Sequence, residues 1–254
     1  MSANAIYRWQ ADQLIELVPE EAPTASITVA DSWLVDTGKV LALNLHRQRF
    51  MDAVPVSLRE TADNFFTAAV AQLPRAGAWF PRVELRGAEF FLRLRPAPEL
   101  QRSAKVISFT GDDPRTMPTI KGPDLDAMAA LSAAAHGHGA DEAILLSSEG
   151  YVVEGAYSAV LWWRGDILCG PPAEFERIDS VTARTSLMLA RALGLDIHEE
   201  AVTPAELDAT EVWVVNALHG IRIVPRWIDG PELAERPQRL EQWRTRLGAL
   251  ARPI

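Results

Sequence analysis

The 254 residues hold three lysines, Lys39, Lys105 and Lys121, and every other permanent side-chain cation is an arginine. Arginine stays charged at any ordinary pH, whereas lysine can lose its proton and act as an amine nucleophile. Lys121 stands in "PTIKGPDLDAM", just ahead of a helical pattern, where an amine could be presented. Glu154, in "YVVEGAYSAV", is a carboxylate among apolar strand residues, at home either on an edge or as the buried partner of a cation. The helix start at Ser180-Val181-Thr182 is an anion site in outline. Exposed N–H groups and the helix dipole favour negative charge there, and a flanking hydroxyl helps. Each feature also has a plainer reading: a surface lysine, an exposed turn, a simple cap.

Together the three match what pyridoxal 5'-phosphate (PLP) needs. An amine forms the Schiff base, a carboxylate keeps the pyridine nitrogen protonated, and a helix start with an arginine takes the phosphate. Other chemistries find less support. His136 and His138 sit two apart at a helix end, where they diverge, and no carboxylate or cysteine falls at a matching spacing for a metal. There is no G-x-S-x-G elbow, no P-loop and no glycine fingerprint after a strand.

The elements that must position these groups read as an α+β chain with mixed strands. "SITVADSWLV" (26–35) reads as a strand, "LALNL" as a second short one and "HRQRFMDAV" as a helix. Residues 57–73 read as a helix with a Ser57–Glu60 capping box and Val56 as its staple. Residues 82–96 read as a hairpin turning at Arg86-Gly87, and "AKVISF" as a strand. The turn-rich loop "TGDDPRTMP" is the candidate boundary, giving domains 1–115 and 116–254. Beyond it comes a helix over 124–137, capped by Asp124 and ended by Gly137. Three β-runs and "DILCG" then suggest an antiparallel meander, with "RGD" at 164–166 as a turn. A helix over 181–194, the strand "EVWVVNAL" and a helical tail broken at Pro237 complete the chain.

Bulk properties narrow the class. Hydrophobic residues make up 48% and charged ones 23%, an ordinary globular balance. A net charge of -9 argues against a nucleic-acid partner, which requires a basic face. One cysteine, Cys169, excludes an intrachain disulfide and fits a reducing compartment. No signal-peptide pattern and no membrane-length apolar run are present, so a cytoplasmic location and no membrane association are expected.

The order and spacing of motifs resemble the class IV (fold-type IV) PLP enzymes: branched-chain and D-amino-acid aminotransferases and 4-amino-4-deoxychorismate lyase. The strongest block is "GADEAILLSSEGYVVEGAYSAVLWWRGDILCGPP", Gly139 to Pro172, followed by "SVTARTSLMLARALGLDIHEEAVTPAELDATEVWVVNALHGIRIVP". Upstream, "LHRQRF" is similar to the family's "H..RL". The resemblance implies a small N-terminal α/β domain, a larger mixed-sheet domain carrying the lysine, and a homodimer. It implies Lys121 as Schiff-base lysine and proton shuttle, and Glu154 as partner of the ring nitrogen. It further implies Arg49, Val181 and Thr182 at the phosphate, with Asn216 and Ala217 in a second phosphate-side loop, and no metal.

The substrates implied are an amino donor and a keto-acid acceptor. An alternative outcome of the same chemistry is a lyase that releases pyruvate, toward which "NALHGIRIV" tilts. A PLP-binding protein without turnover is the reading of another class. Departures lie on the substrate side: "KGPDLD" replaces the usual polar run after the lysine, "SVTAR" replaces "GITRD", and "ADSWLV" replaces "G.FET.R".

Overall fold

The computed structural model describes residues 4–254. Its backbone falls into two compact units. The first comprises residues 4–100 together with Ile120–Pro123 and Leu250–Ile254; the second comprises Gln101–Thr119 and Asp124–Ala249. This grouping differs from a single boundary after residue 115, because the short segment bearing Lys121 returns to the first unit. The Ala30 amide donates to the Lys121 carbonyl at 2.6 Å and fixes that return.

The first unit is built on a five-stranded antiparallel sheet ordered Gln13–Glu16, Ala5–Gln10, Glu89–Leu94, Arg82–Arg86, Val29–Ser32. The hairpin turning at Arg86-Gly87 forms as expected, with Gly87 at φ +60°. Helices α1 (Leu43–Ala53) and α2 (Arg59–Ala71) supply Phe50, Phe65 and Phe66 to a core that also holds Phe90 and Trp33. Buried aromatics of this size dominate core energetics.

Two local expectations fail here. "LALNL" is not a strand: pairing stops at Lys39–Val40, and Leu43 opens α1. Leu43, His46 and Phe50 recur at helical spacing and turn one face inward, and that burial outweighs β propensity. The Ser57–Glu60 capping box does not form either. Val56–Leu58 is a 3₁₀ turn, α2 starts at Arg59 without a side-chain cap, and Val56 is 77% exposed. Packing of Ala62, Phe65, Phe66 and Ala69 places this helix, not its cap.

The second unit carries two sheets. One is ordered Val152–Gly155, Glu142–Leu146, Val106–Phe109, Trp227–Ile228, with parallel pairing on both sides of Val106–Phe109. The other is ordered Ile197–Glu199, Ile167–Gly170, Ala159–Arg164, Glu211–Asn216, Gly220–Ile223. The expected meander is therefore split between two sheets at Gly155–Ser158, where the chain turns back on itself through a Gly155 N–H to Ser158 carbonyl bond of 2.6 Å. Three helices belong to this unit: α3 (Leu125–Gly137), α4 (Val181–Ala192) and α5 (Arg239–Gly248). The tail is helical only beyond Pro237. Trp243 of α5 meets Trp163 and Trp213 edge to face at 5.4 and 5.6 Å, which anchors the helix on its sheet. Among the described residues no helix is long and apolar enough to cross a membrane.

Candidate functional site

In the first unit, the chemistry gathers around Asp31, which is fully buried. Its carboxylate accepts from Arg49 Nε at 2.8 Å and Arg49 Nη2 at 2.9 Å, from His46 Nδ1 at 2.8 Å and from the Ser32 amide at 2.7 Å. Burial by itself would raise the carboxyl, but Arg49 and His46 overcome it and hold Asp31 far below the usual carboxylate range. Burial also holds His46 below its ordinary value against the pull of Asp31, and its Nδ1–H donates to the Asp31 carboxylate. The charge of Lys121 bears on the same imidazole. Arg49, assigned to phosphate from sequence, is thus a guanidinium whose orientation is set by a two-point carboxylate fork.

Gly122 explains how Lys121 is seated. Its φ is +141°, and a Cβ at that position would stand 2.9 Å from Ala30 N and from Val29 C and Cα. Only glycine permits the chain to lie this close to the Val29–Ser32 strand. The "KG" pair that departs from the family's polar run is therefore a backbone requirement.

In the second unit, Glu154 is the last residue but one of the Val152–Gly155 strand and is 6% exposed. One carboxylate oxygen accepts from Arg115 Nη1, and the other accepts from the Ile178 amide at 3.3 Å. Burial pushes the carboxyl up to about 7, while Arg115, the Ile178 N–H and Arg177 pull it down. Ile178 lies two residues before Ser180, which caps α4 by accepting from the Ala183 amide at 3.3 Å. The cap leaves the N–H groups of Val181 and Thr182 without intrahelical acceptors, as at any helix start. Both residues are buried, and their carbonyls accept from the hydroxyls of Thr185 at 2.7 Å and Ser186 at 2.8 Å. Of the two caps the sequence allows, Asp179 and Ser180, the helix uses Ser180. Asp124 does stand at the N-cap of α3, but its carboxylate turns back to the amides of Thr116 and Met117, both at 2.9 Å.

Asn216 ends the Glu211–Asn216 strand and closes the turn after it, its Oδ1 accepting from the amides of Leu218 at 3.1 Å and His219 at 2.8 Å. Its Nδ2 donates to Ser158 Oγ at 3.1 Å. Ser158 belongs to a buried network in which Glu142 accepts from Ser158 Oγ at 2.9 Å, Arg222 Nη2 at 2.6 Å and the Tyr157 amide at 2.6 Å. Ala217 lies in the turn itself.

A family model described as Amino-transferase class IV matches residues 28–227. The chain belongs to the class IV aminotransferases. Every site residue named from sequence lies inside the span that matches this family. The branched-chain-amino-acid aminotransferases of Escherichia coli K12 and Salmonella typhimurium are each 28% identical over 135 residues, 52% of this chain. That match spans 43% of the length of those relatives.

Solved structures share the fold across nearly the whole chain. A fold IV-transaminase from Curtobacterium pusillum aligns with a TM-score of 0.81 at 16% identity, covering 98% of both chains. A branched-chain aminotransferase from Thermoproteus uzoniensis, solved with norvaline, gives 0.79 at 20%, also covering 98% of each. A hypothetical aminotransferase from Mycobacterium tuberculosis in its PLP-bound form gives 0.75 at 20%, covering 97% of this chain and 98% of that one. The α+β fold-type IV architecture expected from sequence is the fold of this class IV chain.

Sequence reasoning missed two charged groups that hold the named ones. Asp31 was read only as part of a strand, and an aspartate inside the β-rich run "SITVADSWLV" was the available signal. Arg115 lay in a stretch read as a turn-rich boundary. An arginine six residues ahead of the candidate lysine, two after an aspartate, was the signal there.

Proposed function

We propose that the chain is a PLP-dependent aminotransferase acting on an amino acid, with a keto acid as acceptor. The observation that carries this reading is the placement of Glu154. A buried carboxylate is bonded to the segment that leads, two residues on, into a helix start suited to an anion. A ring-nitrogen partner and a phosphate anchor on one connected stretch fit PLP.

In this reading PLP supplies an electron sink for charge developed at the substrate's alpha carbon. The chain's own residues do the rest. The Lys121 amine would hold the cofactor and, once free, would move the proton at the substrate's alpha carbon. Glu154 would partner the ring nitrogen. The N–H groups of Val181 and Thr182, the Thr182 hydroxyl and the Arg49 guanidinium hold the phosphate, with Asn216 and Ala217 in the second phosphate-side loop. Asp31 offsets the charge of Arg49 and fixes its plane. The working unit is a homodimer in the cytoplasm, as the family resemblance implies.

Borohydride reduction of the purified protein with PLP, followed by peptide mass mapping, tests the reading directly. Label on Lys121 and none on Lys39 or Lys105 supports it; a Lys121→Ala protein that keeps wild-type turnover sinks it. The "NALHGIRIV" segment supports a second outcome of the same chemistry, the 4-amino-4-deoxychorismate-lyase-like one, for which pyruvate release from that substrate is the readout. PLP labelling of Lys121 with neither transfer nor pyruvate release would instead mark a binding protein without turnover.

A further inference from the structure

Glu154 does not stand alone behind the ring position. The Arg115 guanidinium, buried to within 7% exposure, joins Glu154 to Asp113. Asp113 accepts from Arg115 Nε at 2.9 and 3.1 Å and from Nη2 at 2.6 Å, and from the Arg115 amide at 3.0 Å. The result is a carboxylate–guanidinium–carboxylate row with one buried end, Glu154, and one exposed end, Asp113. Burial opposes the charge on Arg115, and the two carboxylates more than restore it. A surface loop gains nothing from burying a guanidinium unless the buried carboxylate needs it.

We propose that Arg115, braced by Asp113, is a positioning residue for the ring-nitrogen partner: it fixes the Glu154 carboxylate and weakens its hold on a proton. The ring-nitrogen half of this inference rests on the PLP reading above; the carboxylate half does not. A nitrogen base and a carboxylic acid in contact share one proton. Whichever is the weaker acid keeps it. Without Arg115, a carboxyl this deeply buried holds the proton and leaves the ring nitrogen neutral. With Arg115 against it, the proton passes from the carboxyl oxygen to the ring nitrogen, leaving carboxylate and pyridinium. Asp113 tempers the guanidinium's own repulsion of that pyridinium. The other groups that bear on Glu154 are Arg177, which donates to the carbonyls of Pro171 at 2.9 Å and Phe175 at 3.0 Å, and the Ile178 amide. They are unchanged in the variants below.

The test is a carbon-13 NMR titration of the Glu154 carboxyl in the full chain without PLP, assigned by its loss in Glu154→Gln. Arg115→Gln should raise the midpoint by at least one pH unit. Asp113→Asn, on the exposed side, should lower it, and Arg115→Lys should bring it back toward wild type. In the same proteins loaded with nitrogen-15 PLP, the ring-nitrogen signal should be that of pyridinium in wild type and shift toward neutral pyridine in Arg115→Gln. Unmoved midpoints in both Arg115→Gln and Asp113→Asn overturn the inference, and so does a pyridinium signal that persists in Arg115→Gln. Should Arg115→Gln fail to fold, the Asp113→Asn shift decides alone. Failure of every protein to bind PLP would overturn the cofactor reading, while the carboxyl titration still judges Arg115.

Discussion

The Lys121 carbonyl accepts a 2.6 Å hydrogen bond from the Ala30 amide, so the candidate amine is tied through its own backbone to the strand that carries Asp31. Gly122 makes this possible by its φ of +141° and by having no side chain where the Val29–Ala30 backbone passes. Gly122→Ala should therefore act both on stability and on the seating of the lysine. The left-handed backbone costs of order 1–3 kcal/mol for a residue with a Cβ. The 2.9 Å approach forces the segment outward as well. Expected are a lowered urea midpoint and a large drop in borohydride-trapped PLP on Lys121. A fully labelled Gly122→Ala protein of wild-type stability would show that the close approach does not seat the lysine.

Asp31→Asn removes the buried carboxylate that bridges His46 and Arg49. Breaking a buried ion pair from one side leaves an uncompensated charge and costs roughly 3–5 kcal/mol. The loss should appear in denaturant unfolding, and PLP affinity should fall with it, because Arg49 loses the fork that orients it. The Asp31 contribution is present above the ordinary aspartate range and is lost only as pH falls through its depressed folded value. Destabilisation by Asp31→Asn should thus be full at neutral pH and shrink only in strong acid. An Asp31→Asn protein as stable as wild type at neutral pH would contradict this account of the cluster.

Legibility from sequence divided along physical lines. The Ser180 cap, the Arg86-Gly87 turn and the Glu211–Asn216 strand were readable because each is fixed by local chemistry within a few residues. Lys121 stood out because lysine is scarce in this chain, and Glu154 as a carboxylate among apolar strand residues. The Ser57–Glu60 box was misleading: its local signal was sound, yet four core residues of α2 decide where that helix starts. The split of the meander at Gly155–Ser158 was invisible for the same reason, since alternating strands look alike whichever sheet they join. Asp31 and Arg115 escaped notice because their meaning is set by partners 15 and 39 residues away, His46 and Glu154.

Glu154 gives a pH signature. Its folded value is raised from 4.5 to about 7, chiefly by burial, so between those values the folded chain binds more protons than the unfolded one. Stability contributed by the protonated form is full below pH 4.5 and is lost as pH rises through 7. The total is about 3 kcal/mol for a group this buried. Glu154→Gln cannot titrate and should gain on wild type by that amount as PLP-free samples are taken from pH 4.5 to 7. Unfolding curves of the two proteins across the window check it. A constant gap would mean that folding does not raise the Glu154 value, and one that moves in wild type's favour that folding lowers it.

The network behind Asn216 gives a last prediction. Arg222 and Glu142 are 5% and 3% exposed, and Ser158 Oγ stands between them and the Asn216 amide. Glu142 can lie there because Gly155 has no side chain: a Cβ would come within 2.9 Å of Glu142 Oε1. Arg222→Leu leaves the Glu142 carboxylate buried with only neutral donors and should cost about 3–5 kcal/mol. Glu142→Gln with Arg222→Leu removes both charges, so the double variant should recover much of that loss, which a double-mutant cycle measures directly. If the network only supports the fold, PLP affinity should follow stability through the cycle. If it also holds the Asn216 turn for the phosphate, affinity should stay low in the double variant, where Ser158 has lost its Arg222 donor and is free to rotate away from Asn216. We expect the second result, because Asn216 already spends its Oδ1 on closing the turn and has Ser158 as the hydroxyl partner of its Nδ2.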